Sequence, residues 1–212
     1  MVRVRLLHVD DFDAGDYEQF RAMTSGEKRA RIDRFRFEAD RRRSLLGDAL
    51  ARTMLAEVTG IAADALIFRT DECGKPYAEN APGSFFNISH SGNCVACIVA
   101  DKPCGIDVEE IGEVDDDVAE NFYTAGEKLI LADGPAERFY EIWTVKEAYS
   151  KRDGRGLGLD SRSYEAVRGE DGYAVFAGGE KVGKAFVANL EGRYIVACIP
   201  APDGEIEAGV VL

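Results

Sequence analysis

FFNISHSGNCVACIVADKPCGIDVEE (residues 85–110) is the stretch that decides the architecture. Residues 85–89, 94–100 and 105–109 each read as a short strand, with Gly92 allowing one chain reversal and 101–103 supplying the next. Working outward, residues 1–10 alternate at Val2, Val4 and Leu6, which predicts another strand. Residues 14–32 and 40–59 read as helices. The second is apolar at Leu45, Leu46, Ala49, Leu50 and Leu55 and is closed by Gly60. A short strand over 65–69 is separated from 85–89 by a turn region containing Gly74, Pro76, Pro82 and Gly83. Beyond 110 comes an acidic segment to 117, then helical patterns over 118–122, 127–131 and 136–152, the last ending at Gly154. The tail reads as strands over 173–176, 184–190, 194–199 and 205–211. Grouped rather than alternating elements predict an α+β fold with antiparallel sheets. The junction falls near residue 105 and divides the chain into halves 1–104 and 105–212, with no sequence repeat between them.

Composition narrows the function classes. The 212 residues are 46% hydrophobic and 31% charged, an ordinary globular balance. No apolar run approaches the roughly 20 residues a membrane span needs. The first residues turn acidic too soon for a signal peptide, so a cytoplasmic location without a membrane partner is expected. Five cysteines argue against a disulfide framework. Cys94 and Cys97 form a C-x-x-C, but residues three apart on a strand point to opposite faces and cannot share a metal. A net charge of −13 opposes general nucleic-acid binding. Eight cations nevertheless stand between Lys28 and Arg43, a pattern suited either to a local anionic ligand or to a solvated helix face with its interspersed acids.

Three segments could carry chemistry. In Gly105-Ile-Asp-Val-Glu109, Asp107 and Glu109 share one face of a strand while Ile106 and Val108 bury the other. Two carboxylates about 6–7 Å apart repel by roughly 2–3 kcal/mol at an effective dielectric near 20, a cost that a divalent cation removes. Oxygen-only ligands favour Mg²⁺ or Mn²⁺; a water-facing acidic strand is the bland alternative. On the helix over 136–152, Trp143, Glu147 and Lys151 lie at i, i+4, i+8 and share a face. Glu147 could add a third carboxylate or accept a proton, and Lys151, with Lys146 as a further candidate, could neutralise phosphate oxygens. Trp143 reads as core packing. Ser89, His90 and Ser91 end a strand in a donor-rich turn. Two histidines in the whole chain exclude a multi-histidine metal site, and Gly154–Gly158 follows a helix instead of opening one, so it is no dinucleotide fingerprint.

The order of these segments is what carries a resemblance. FNISHSG (86–92), GIDVE (105–109) and WTVKEAYSKRDGRGL (143–157), preceded by GEKRARIDRF (26–35), RRSLLGD (42–48) and GKP (74–76), resemble the broad-specificity, surfactin-synthetase-activating type of 4′-phosphopantetheinyl transferase over residues 26–165. The resemblance implies two similar halves related by a pseudo-twofold axis, each with a small antiparallel sheet and packed helices, and coenzyme A with Mg²⁺ in the cleft between them. It implies that Asp107, Glu109 and Glu147 hold the metal. Lys28, Arg31, Arg43, Ser44 and His90 would lie near the 3′-phosphate, Lys75 and Pro76 by the adenine, and Ser89 and Lys151 by the pyrophosphate. The implied activity is transfer of the phosphopantetheine arm to a serine of an apo acyl or peptidyl carrier protein, with Glu147 and Lys151 catalytic, by a monomeric enzyme. A non-catalytic module binding coenzyme A or a carrier protein, and a metal-dependent phosphodiesterase removing the arm, are the alternatives.

Overall fold

A computed structural model of the chain describes residues 1–201 apart from Asp115, Asp133 and Asp171; the strand expected over 205–211 lies outside the described residues. In chain order, β1 (Val2–His8) leads through a 3-10 turn to α1 (Ala14–Met23), α2 (Gly26–Ile32) and the long α3 (Glu38–Thr59). A small hairpin of β2 (Phe68–Thr70) and β3 (Pro76–Ala78) precedes β4 (Phe85–Ser91), β5 (Cys94–Ala100) and β6 (Gly105–Glu110). Then come α4 (Asp116–Phe122), α5 (Ala125–Ala132) and α6 (Glu137–Asp153). The strands β7 (Tyr164–Gly169), β8 (Gly172–Ala177), β9 (Glu180–Leu190) and β10 (Tyr194–Ile199) complete the described chain.

The α+β architecture is the one expected. One sheet has the order β1-β5-β4, the other β6-β10-β9-β8-β7, and the paired strands are antiparallel. The two halves share a connectivity: a first strand, a long helix, then two more strands of which the last sits in the middle (β1-α3-β4-β5 and β6-α6-β9-β10). Helix α3 packs Leu46, Leu50 and Met54 against Phe86, Val95, Cys97 and Val99. Helix α6 packs Ile142, Val145 and Ala148 against Ile195, Ala197 and Ile199. Between the sheets lies a third cluster in which Val4, Leu6 and Ile98 meet Ile106, Val108 and Val196. Cys94 belongs to that middle cluster and Cys97 to the one under α3, so the C-x-x-C sulfurs do diverge, and all five cysteines are free.

Three local expectations change. The helix expected over 14–32 is two helices, because Thr24 is extended and Ser25 caps α2 by accepting from the Lys28 N–H. The strand expected over 65–69 starts later, at Phe68, and pairs with β3, which begins inside the supposed turn region. β7 is an element the sequence reading lacks: Glu165, Ala166, Arg168 and Gly169 outweigh Tyr164 and Val167 as strand formers, and pairing with β8 decides its conformation.

What joins the halves is a seam of side chains. β4 and β6 are edge strands of their respective sheets. Asn87, Ser89 and Ser91 lie on one face of β4. The Asn87 Oδ1 accepts from the Ile106 N–H at 3.0 Å and the Ser91 Oγ accepts from the Glu110 N–H at 3.0 Å. Between them the Ser89 hydroxyl donates to Asp107 Oδ1 at 2.7 Å. Asn87→Ala should strand the buried Ile106 N–H and lower unfolding stability by about 1–3 kcal/mol, read from urea denaturation.

Candidate active site

The seam floors a cleft of about 1070 Å³ whose walls come from α2, α3, the β2–β3 hairpin and α6. Close approach of α6 is set by Gly105: a Cβ there would overlap the Ala148 carbonyl oxygen and fall 2.6 Å from the Arg152 nitrogen. Only glycine lets the helix sit this near the start of β6, which brings Trp143, Glu147 and Lys151 over the strand face carrying Asp107 and Glu109.

Asp107 is 2% exposed. Its Oδ1 accepts from Ser89 and from Lys151 Nζ, the latter at 2.5 Å, while its Oδ2 is buried with no hydrogen-bond partner among the described residues. Glu109 accepts from the Ser91 hydroxyl at 3.0 Å. Burial, reinforced by the charge of Asp107, raises the pKa of both Glu109 and Glu147 above the ordinary glutamate value. Three carboxyl groups from β6 and α6 thus line the cleft, with Asp107 near enough to Glu109 and to Glu147 to act on both.

The cleft also carries a set of cations. Lys28, Arg31, Arg34 and Arg43 all line it, with Ser44 beside them. Burial depresses the Lys28 pKa, Asp48 partly opposing and Arg31 and Arg52 adding. Arg43 is fixed by Asp40 at 2.6 Å and by the Gly92 carbonyl at 2.7 Å. Arg21, Arg41 and Arg42 are occupied by Asp33 and Glu38, whereas Lys28, Arg31 and Arg34 make no ion pair with the described residues. The basic stretch therefore divides: some of its members are paired on the surface, others face the cleft. Burial lowers the His90 pKa below the usual imidazole value, and the charges of Arg43 and Lys151 push the same way.

Residues 13–102 match the family described as 4′-phosphopantetheinyl transferase, N-terminal, and residues 103–199 match the 4′-phosphopantetheinyl transferase superfamily. A Bacillus pumilus protein named 4′-phosphopantetheinyl transferase psf-1 is 41% identical over 176 residues, covering 81% of this chain and 76% of that protein. The chain belongs to the 4′-phosphopantetheinyl transferase family. A Bacillus subtilis 4′-phosphopantetheinyl transferase is 37% identical over 76% of this chain and 73% of its own length. The transferase Sfp of Bacillus subtilis (strain 168) is 31% identical over 88% of this chain and 86% of its own length. Among solved structures, the holo-[acyl-carrier-protein] synthase of Thermotoga maritima aligns with a TM-score of 0.39 at 24% identity over 46% of this chain and 61% of that chain, too distant to carry an argument.

Within this family member the cleft gathers Lys28, Arg31, Arg43, Ser44, Pro76, Ser89, His90, Asp107, Glu109, Glu147 and Lys151. Two other candidates point elsewhere. The Lys75 ammonium leaves the cleft and donates to the Arg152 carbonyl at 3.1 Å and the Cys104 carbonyl at 3.5 Å. Lys146, five residues before Lys151, lies on the far side of α6, 1% exposed, with its ammonium 2.8 Å from the fully buried Glu127. It cannot reach a phosphate in the cleft. Sequence reasoning also missed Arg52, which lines the cleft while paired to Asp48 at 2.7 Å and stacked over Phe68, itself stacked on Phe86. Its signal was available: an i, i+4 Asp–Arg pair on the apolar stripe of a helix must be buried as a pair.

Glu127 also accepts from the backbone N–H groups of Thr124 and Ala166, so it ties α5 and β7 to α6. Lys146→Met should leave that carboxylate buried and unpaired, costing about 3–5 kcal/mol in chemical denaturation, and the double variant with Glu127→Leu should recover much of the loss.

Proposed function

We infer that this chain moves the 4′-phosphopantetheine arm of coenzyme A onto a serine hydroxyl of an apo acyl or peptidyl carrier protein, releasing 3′,5′-ADP. The observation that carries this reading is one cleft lined by two unlike sets of groups: Asp107, Glu109 and Glu147 with Lys151, and the cations Lys28, Arg31 and Arg34, which make no ion pair with the described residues. A ligand holding a pyrophosphate and a separate phosphate on one nucleotide answers both sets. The residues of 1–104 would contact the nucleotide and those of 105–212 would carry the reacting groups. We take the enzyme as a monomer of the cytoplasm with no nucleic-acid or membrane partner, on its net charge of −13 and on the described helices, none of which is long and apolar enough to cross a membrane.

The acidic end suits a divalent cation. Among the described residues no three His, Cys, Asp or Glu stand ready as a metal cage, and Lys151 lies on Asp107 in its place. Yet the buried Asp107 Oδ2 lacks a hydrogen-bond partner among the described residues, and Glu109 and Glu147 are held above their usual pKa by burial and by Asp107. We propose that Asp107, Glu109 and Glu147 hold Mg²⁺ or Mn²⁺, which when bound supplies charge neutralisation to the pyrophosphate oxygens.

The chain's own residues then do the rest. Lys28, Arg31, Arg43 and His90 hold the 3′-phosphate, Pro76 and its hairpin border the base, and Ser89 and Lys151 orient the pyrophosphate. Glu147, directly or through one water, takes the proton from the carrier serine. The serine oxygen forms a bond to the β-phosphorus as the bond from that phosphorus to the bridging oxygen breaks. The bridging oxygen keeps the electron pair and departs with 3′,5′-ADP, Lys151 facing the charge that develops.

Incubating the chain with apo-carrier, coenzyme A and Mg²⁺ should add the phosphopantetheine mass to the carrier by mass spectrometry. Loss of that mass from holo-carrier would instead indicate a phosphodiesterase, and no change a binding module. Asp107→Asn and Glu147→Gln should each lower kcat/KM by a factor on the order of 10²–10⁴ with unchanged circular dichroism. Lys151→Met should slow transfer yet tighten Mn²⁺ binding to the coenzyme-free chain by at least about threefold, measured by electron paramagnetic resonance, because its ammonium no longer competes for Asp107.

A further inference from the structure

The β2–β3 hairpin is the least supported wall of the cleft. It supplies Phe68, Arg69, Thr70, Gly74, Pro76 and Tyr77 to the lining, yet it forms a sheet of its own, apart from both larger ones. An isolated two-stranded hairpin is marginal in water, so something else must hold it. Its root is fixed: Asn80 accepts from the Ile67 N–H and donates to the Ala65 carbonyl, and Phe68 is clamped between Phe86 and Arg52. Its turn is stiff, because the Asp71 carboxylate accepts from the N–H groups of both Cys73 and Lys75.

The tip has a charged tether. Lys75 Nζ crosses to the other half of the molecule to donate to the Arg152 carbonyl, and it also donates to the carbonyl of Cys104, at the junction of the halves. Arg152 lies in the last turn of α6, where carbonyls lack intrahelical partners and the helix dipole favours a cation. Packing repeats the message. A Cβ on Gly154 would lie 3.4 Å from Lys75 Cδ and one on Gly156 would lie 3.6 Å from the Cys73 carbonyl, so the tip rests directly on the turn that follows α6. Arg152 in turn donates from its guanidinium to the Val182 carbonyl of β9 at 2.7 Å, which anchors the receiving end.

We propose that Lys75 is a positioning residue: its ammonium latches the tip of the β2–β3 hairpin onto the C-terminal end of the helix bearing Glu147 and Lys151, and thereby fixes the width of the nucleotide cleft. The proposal rests on the reading of this cleft as a coenzyme A site, but the latch is a contact of the free chain and is tested there. Lys75→Met keeps the methylene packing and removes the donors, and Lys75→Arg returns donors. Hydrogen exchange of residues 68–78 in the ligand-free protein should speed up by about tenfold in Lys75→Met, confined to that segment, and Lys75→Arg should restore much of the protection. The KM for coenzyme A should rise about tenfold in Lys75→Met with kcat changed by less than about twofold, since the reacting groups stay in place. A raised KM with unchanged exchange in the free protein would overturn the latch in favour of direct coenzyme contact. Faster exchange throughout the chain would overturn it in favour of a general stability role, and no change in either measurement would also overturn it. Should the wild-type chain transfer nothing to a carrier, the coenzyme reading fails while the exchange comparison still decides the latch.

Discussion

Two sheet edges meet at the centre of this molecule, and the way they meet determines everything built on them. An exposed edge strand invites uncontrolled pairing, and the usual remedies are closure or cover. Here β4 covers the edge of β6 with side chains instead of a main-chain ladder: the Asn87 amide oxygen and the Ser91 hydroxyl take the N–H groups of Ile106 and Glu110. Alternate positions on β4 must therefore be short and polar, while Phe86 on the other face packs under α3. The same seam puts the Ser89 hydroxyl against Asp107, so the joint between halves and the floor of the site are one feature.

Charge is distributed by a consistent logic around that floor. Buried ions that shape the walls are paired: Lys146 with Glu127 and Arg52 with Asp48. Unpaired buried charge is expensive, and these pairs hold α5, α6 and the hairpin root where they belong. Lys28, Arg31, Arg34 and the Asp107 Oδ2, which find no ion-pair or hydrogen-bond partner of this kind among the described residues, belong to side chains that line the cleft. Lys151 rests on Asp107 and Ser89. An acidic chain of net charge −13 thus keeps a local cationic wall for an anion and a carboxylate cluster for a cation.

Much of this was legible from residues alone. Period-two alternation gave Ile106 and Val108 to the core and Asp107 and Glu109 to the cleft, and helical spacing put Trp143, Glu147 and Lys151 on one face. Trp143 reads as core packing, and it does pack on Phe122 and Tyr123, but it also lines the cleft. Lys75 and Lys146 were not legible, because the destination of a long flexible side chain depends on acceptors from distant segments: Arg152 and Cys104 for one, Glu127 for the other. β7 escaped because its conformation comes from its hairpin partner, and the break between α1 and α2 because the Ser25 cap is a local bond competing with a continuous helical pattern.

The most direct test of the account is where a divalent cation settles. A crystal of the chain grown with coenzyme A and Mn²⁺ should show an anomalous peak within about 2.0–2.3 Å of oxygens from Asp107, Glu109 and Glu147, with the Lys151 ammonium displaced from Asp107. A peak away from these three carboxylates, or coenzyme bound with Lys151 still seated on Asp107 and no cation beside it, would contradict it.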